Sequence, residues 1–338
     1  MAKQSNNKKV TLVDVAKHAG VSRATASLVL RESPLVADKT REQVRASMQA
    51  LGYVYNRAAA NLRSQKSSTI GLVVTDISNP FFAELAISIE SQLDEANYTV
   101  MLSNTMDNLE KQDRLLQVMR GHQVDGILLC PAEGSSPHTI ETLENWQLPH
   151  VLVARYIQGS QSSYAGSDNI LGASIAVDHL VSRGHRRIAF LGGQMGSSAR
   201  NDRLLGYQQA LAKHGIEVEE HLSIASAVSR QGGFDAITKL IQLPNAPSAA
   251  ICYNDVVAFG AMHGLQSNQI MPGKQFAIVG FDDIADAALV QPALTTVSIK
   301  PHKIGEAAIN LLMERIDDRS ISDKQIILPP EIVVRDST

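Results

Sequence analysis

The 338-residue chain has two cysteines, no long apolar run and none of the short motifs that announce catalysis. Cys130 and Cys252 each end a short apolar stretch, and no spacing suggests metal or redox work. They read as reduced, buried thiols of a cytosolic protein. No run of 18 apolar residues occurs, so no membrane span is expected. The opening MAKQSNNKKV has no apolar segment of the kind a secretory signal requires. G-x-S-x-G, H-E-x-x-H, a P-loop and a Cys/His pair are all missing, so an α/β enzyme would have no reaction to assign. The segment LGGQMG (191–196) lacks G-x-G-x-x-G spacing and reads as a tight turn. No metal and no cofactor are expected.

What is present is a soluble composition, 44% hydrophobic and 19% charged, with its charge unevenly placed. Residues 1–68 hold 12 Lys and Arg against 4 Asp and Glu, whereas the remaining 270 hold 19 against 30. A basic N-terminal module on an acidic body fits a polyanionic partner for the first part only. A merely solvated basic face would give the same numbers.

Between Val10 and Leu30 the apolar residues Leu12, Val15, Ala16 and Ala19 fall on one helical face. Gly20 then breaks the pattern, Ser22 is placed to cap a second helix, and Ala26, Val29 and Leu30 resume it. Two short helices around such a turn are either a helix-turn-helix, whose second helix enters the major groove, or an ordinary helical hairpin. A loop, RESPLV, leads to a third helix over 38–50. Its Val44 and Met48, with Leu51, would close a small headpiece that is marginal alone. Residues 51–68 are a linker with helix propensity from Arg57 to Arg63.

From Thr69 the texture changes. Short apolar runs such as IGLVV, GILLC, HVLVA, RIAFLGG, SAAICY and FAIVGF alternate with amphipathic segments of helical period. This predicts parallel α/β sheets covered on both faces. About eleven such units exceed one compact sheet, so they divide into two similar subdomains near residue 166. His185, in GHRR, is expected to orient the loop before its strand.

The blocks VTLVDVAKHAGVS, TREQVRASMQALGYVYNR, IGLVVTDISNPFF, DHLVSRGHRRIAFLGG, ICYNDVVAFGA, IVGFDD and PALTTV resemble the lac repressor (LacI/GalR) family across essentially the whole chain. The resemblance implies a helix-turn-helix headpiece (1–51), a hinge helix or linker (52–68) and a periplasmic-binding-protein-like body (69–338). It also implies the chain crossings: subdomain 1 over about 69–166 and 295–322, subdomain 2 over about 167–294 and 323–338. The family's members grip a palindromic operator on double-stranded DNA as dimers and close two lobes on a small effector. The chain stops at Thr338, without the leucine heptad tail of the family's tetramers, so a homodimer is expected.

The resemblance places Arg23, Ala24 and Leu28 where family members read base edges. Arg suits a bidentate contact with guanine, and Leu28 an apolar contact with a thymine methyl. Thr11, Ser22, Thr25 and Ser27 join the DNA-facing set, as phosphate contacts or helix caps. Asn56, Arg57, Ala58, Ala59 and Leu62 match the hinge helix, with Leu62 the candidate minor-groove wedge. Two departures stand out: Tyr55 replaces the usual Pro before the hinge, and Ala37 replaces a capping Ser, leaving Asp38 as the substitute cap.

In the body, ligands of such sheets bind beyond the carboxyl ends of the strands. The effector candidates are therefore Asp76, Asn79, Phe81, Glu133, Arg203, Asn254 and Asp282. Asp255, next to them, is expected to cap its helix. Arg, amide and carboxylate groups around a cleft suit a sugar, which offers donors and acceptors. The leading reading is a cytoplasmic, nucleoid-associated repressor of a carbohydrate-utilisation operon that responds to a sugar or a sugar phosphate. A nucleobase-responsive regulator and a sugar-binding transport protein are the alternatives.

Overall fold

The computed structural model describes residues 10–30, 32–53 and 66–338. The chain divides into two compact units at Ser67–Ser68.

In the first unit, α1 (Leu12–His18) starts in a capping box: the Thr11 hydroxyl accepts from Asp14 N, and the Asp14 carboxylate accepts from Thr11 N at 2.9 Å. Gly20 takes the left-handed φ of 64° that lets the chain turn into α2 (Arg23–Leu30). The third helix, α3 (Asp38–Leu51), ends in a left-handed Gly52. Val15, Ala16, Ala19, Ala26, Val29, Val36 and Val44 are buried together between the three helices. His18 Nδ1 meets Ser47 Oγ at 3.0 Å and Gln43 donates to the Ala19 carbonyl at 3.0 Å, which fixes α3 against α1.

The second unit holds two six-stranded sheets. The first lobe contains β1 (Thr69–Val74), β2 (Thr99–Asn104), β3 (Gly126–Leu129), β4 (His150–Val153), β5 (Tyr164–Ser167) and β11 (Gln325–Leu328), in the order β11-β5-β4-β3-β1-β2. The second contains β6 (Ile188–Leu191), β7 (Ser223–Ile224), β8 (Ala249–Cys252), β9 (Ala277–Asp282), β10 (Thr295–Ser298) and β12 (Glu331–Val333), in the order β12-β10-β9-β8-β6-β7. All pairs are parallel except β10 with β12. The central strands β3, β4, β6, β8 and β9 are buried along their whole length, as strands covered on both faces must be.

The crossings between the lobes differ from the expected ones. Thr295–Ser298 stays in the second sheet beside β9 rather than returning to the first. The chain crosses back at Lys300, in the left-handed region at φ 51°, and helix Pro301–Asp317 packs on helix Pro80–Glu95 and on β3, β4 and β5. Residues 323–338, expected in subdomain 2 alone, give two strands in two sheets, β11 in the first and β12 in the second. Pro329 and Pro330 lie between them, and a proline cannot donate to a ladder. Strand β5, Tyr-Ala-Gly-Ser, has none of the β-branched residues that mark a strand in sequence, yet is wholly buried. Among the described residues, no helix is long and apolar enough to cross a membrane.

Candidate DNA-reading helix and interlobe effector site

Arg23 and Ala24 are exposed on the first turn of α2. Ser22 Oγ accepts from Thr25 N at 3.0 Å and shares a 2.9 Å hydrogen bond with Thr25 Oγ1, so both hydroxyls serve the helix start. Thr11 is committed to its own capping box in the same way. Ser27 is half-buried, and Leu28, also half-buried, packs against the headpiece core with one side left for a partner. Asp38 is the first helical residue rather than a cap, and Ala37 makes no side-chain cap bond. Arg41 serves that corner instead, donating to the carbonyls of Ser33 and Val36, each at 3.1 Å. Tyr55, Asn56, Arg57, Ala58, Ala59 and Leu62 lie outside the described residues.

The body has a cavity of about 340 Å³ between its lobes, at the carboxyl ends of the strands. Asp76, Asn79 and Phe81 reach it from the end of β1, Arg203 from helix Ser198–Lys213, Asn254 from the end of β8 and Asp282 from the end of β9. Six of the seven expected effector residues thus line one space.

Arg203 is its central cation. It is buried, its Nε donates to Asn169 Oδ1 at 2.8 Å, and it also donates to the Tyr253 carbonyl. Its guanidinium lies 3.6 Å from the centre of the Phe281 ring and 3.6 Å from Asp282 Oδ1. Burial pushes the Asp282 carboxyl up to about 7, although Arg203 and a hydrogen bond from Asn79 pull the other way. Asp282 adopts φ 115°, a backbone region that favours glycine. A strained, buried carboxylate beside a ligand cavity is a common functional arrangement.

Asn254 caps the helix Asp255–Ser267, its Oδ1 accepting from Val257 N at 3.0 Å. Its Nδ2 is buried and has no hydrogen-bond partner among the described residues. A buried donor left open costs about 1–3 kcal/mol unless something fills it. Asp255 is not the cap. It is fully buried, accepts from Ile284 N at 2.9 Å and from the Thr296 hydroxyl, and so ties β9 to β10. Burial, and then the charge of Asp282, holds its carboxyl well above the usual range.

A family model described as bacterial regulatory proteins, lacI family, matches residues 11–56, and one for a periplasmic binding protein-like domain matches residues 177–338. Over 330 residues the chain is 33% identical to catabolite control protein A of Priestia megaterium, covering 97% of this chain and 99% of that protein. The chain belongs to the lacI family of bacterial regulatory proteins. The structure of the lac repressor dimer bound to operator and the anti-inducer ONPF is similar to it with a TM-score of 0.87 and 26% identity, over 98% of this chain and 99% of that one. A complex of the transcriptional regulator CelR with cellobiose is similar with a TM-score of 0.75 and 29% identity, over 97% and 100%.

In this lacI-family body, Glu133 stands apart from the other candidates and lines a second interlobe cavity instead. Arg155, Asp107 and Asn169 line the first cavity and escaped the sequence reading. Arg155, after β4, donates from one nitrogen to both Asp107 oxygens, at 2.8 and 3.1 Å. Asp107 follows β2 and takes a left-handed φ of 54°. Both obey the strand-end rule, but their pairing across 48 positions has no local signature. Asn169 was missed with the strand before it. Cys130 and Cys252 are buried and free, and burial pushes the Cys130 thiol up to about 11. His185 Nδ1 meets Ser248 Oγ at 2.8 Å, and Gly192, Gly193 and Gly196 all turn through positive φ.

Proposed function

We propose that the protein is a cytoplasmic, operator-binding repressor of a carbohydrate-utilisation operon that works as a dimer and answers to a neutral sugar. Residues 1–51 read the DNA, 52–68 form the hinge that carries the Leu62 wedge, and 69–338 sense the effector. Arg203 and Asp282 facing Asp76 and Asn79 across one cavity support the effector site most directly, because a sugar hydroxyl can accept from the guanidinium while another donates to a carboxylate. The cavity carries three acidic side chains, Asp76, Asp107 and Asp282, against two basic ones, Arg155 and Arg203. Both arginines already have carboxylate partners, which favours an uncharged sugar over a sugar phosphate. Relatives described as holding operator DNA and cellobiose support the two partners. Within the family, Ser-Leu-Val-Leu (27–30) and Ile-Cys-Tyr-Asn (251–254) are similar to segments of the maltose regulon repressor MalI, which also favours a carbohydrate.

A thermal-shift scan of sugars, sugar phosphates and nucleobases, repeated with candidate operator DNA, tests the reading. A neutral sugar should raise the melting temperature and alter operator affinity in the same concentration range, since the coupling is reciprocal. A response confined to nucleobases would replace the sugar reading.

A further inference from the structure

The effector cavity is lined by two buried arginines, and they differ in what they have left to offer. Arg203 spends Nε on Asn169 and a second nitrogen on the Tyr253 carbonyl, and its third stands 3.6 Å from Asp282 Oδ1. Arg155, on the first lobe, is only 8% exposed, and all its side-chain hydrogen bonds leave from Nη1. They run to both Asp107 oxygens, at 2.8 and 3.1 Å, and to the Pro131 carbonyl at 3.5 Å. Its Nε and Nη2 make no hydrogen bond among the described residues, and neither is sealed in the interior. The guanidinium lies within electrostatic reach of Tyr253 of the other lobe, which lines the effector cavity and not the second one.

Given the sugar reading of this cavity, on which the assignment rests, we propose that Arg155 is a specificity-determining residue. Its Nε–Nη2 edge donates side by side to two adjacent oxygens of a neutral sugar.

That edge is the one with which a guanidinium makes two parallel hydrogen bonds, and hydroxyls on neighbouring sugar carbons present two acceptors side by side. A buried donor that stays unmet is costly, so a ligand that meets both gains more than one that meets a single nitrogen. Asp107 holds the fork ready. It is fixed by a left-handed φ of 54°, by its N–H donating to the Thr75 carbonyl at 3.1 Å, and by Glu133 N donating to its Oδ1 at 2.8 Å. Preorganisation of this kind removes an ordering cost from binding. Asp107 also balances the arginine's charge without occupying its free edge, and Asp76 and Asp282 line the same space, so an uncharged pair of oxygens suits it better than an anion. Arg203 and Asp282 engage the sugar from the second lobe, and Arg155 selects which of its hydroxyl pairs turns towards the first.

The test is calorimetric titration of the full chain with ribose, glucose, maltose and cellobiose, followed by monodeoxy derivatives of the sugar that binds most tightly. Arg155→Lys keeps a positive charge for Asp107 but has no two-nitrogen edge. It should bind that sugar about tenfold or more weakly, the loss of a charge-assisted contact. Deoxygenation at two neighbouring positions should weaken binding to the parent and have little further effect on Arg155→Lys, a coupling that a merely structural role would not produce. Melting without ligand shows whether each variant folds. The double variant Arg155→Gln with Asp107→Asn, which leaves no orphaned charge, should lose the same discrimination. If both variants bind the sugar within about twofold of the parent while Asp282→Asn weakens it, the cavity holds a sugar without Arg155 and this proposal alone falls. If none of the four sugars binds saturably, the sugar reading falls and the proposal with it.

Discussion

Asn79 of the first lobe and Asp282 of the second face one effector cavity, and the Asn79 side chain favours the ionised form of the Asp282 carboxyl. Asn79 is held for the task because its Oδ1 caps the helix Pro80–Glu95, accepting from Phe81 N at 3.1 Å. Close by, burial holds the Glu84 carboxyl on the same helix above the usual range, and the Ala285 backbone of the other lobe pulls it the other way. A ligand that engages Asp282 therefore acts where the two lobes face each other, and so on the conformation of the body.

Titration of Asp282 gives the first test. Its carboxyl stands at about 7 in the folded chain against an ordinary 3.8. Between those values the folded state keeps a proton that the unfolded state has released. The unfolded state then binds fewer protons, so this group makes stability fall as pH rises through that window. Asp282→Asn cannot ionise. Its melting temperature relative to the parent should climb between about pH 4 and about pH 7 and level off above that, by on the order of a few degrees. A constant difference across that range would assign the titration to another group.

Asn254 has two functions that substitution can separate. Serine keeps a capping oxygen but removes the amide donor. Asn254→Ser should therefore melt close to the parent while binding the effector roughly tenfold more weakly, about 1.4 kcal/mol. Asn254→Ala should lose the ligand contact and also about 1 kcal/mol of stability. Equal effector affinity in the parent and the serine variant would show that the open amide serves no ligand.

For DNA, Arg23→Ala should cost about 1–3 kcal/mol on the cognate half-site and relax preference at one base pair. Binding to a half-site library at two salt concentrations checks this. A uniform loss on all sequences, with a flatter salt dependence, would make Arg23 a phosphate contact.

Packing in the second lobe makes a stability prediction independent of any ligand. Helices Asn169–Ser182 and Ser198–Lys213 approach so closely that a Cβ on Gly206 would lie 2.1 Å from the Ile170 carbonyl oxygen. Backbone must move to admit it. Gly206→Ala should destabilise the body by about 1–3 kcal/mol, read by denaturant unfolding, despite alanine's better helix propensity.

The headpiece was legible because its determinants are local. The apolar spacing of Leu12 to Ala19, the left-handed Gly20 and the Ser22 cap all lie within a dozen residues. The α/β alternation was legible for the same reason, and the strand-end rule then brought Asp76, Asn79, Arg203, Asn254 and Asp282 to one cavity. Tertiary structure decided what depends on distant partners. Thr295–Ser298 reads as a strand from its own β-branched residues, but its sheet was set by β9 and by the Thr296 hydroxyl on buried Asp255. Tyr164–Ser167 became a strand only because β4 and β11 flank it. Glu133 obeys the same strand-end rule as the others, yet Arg155, paired with Asp107, stands between the two cavities and leaves Glu133 in the second. Periodicity and capping act within a few residues, whereas sheet membership and the faces of a cleft follow from contacts between segments tens to hundreds of residues apart.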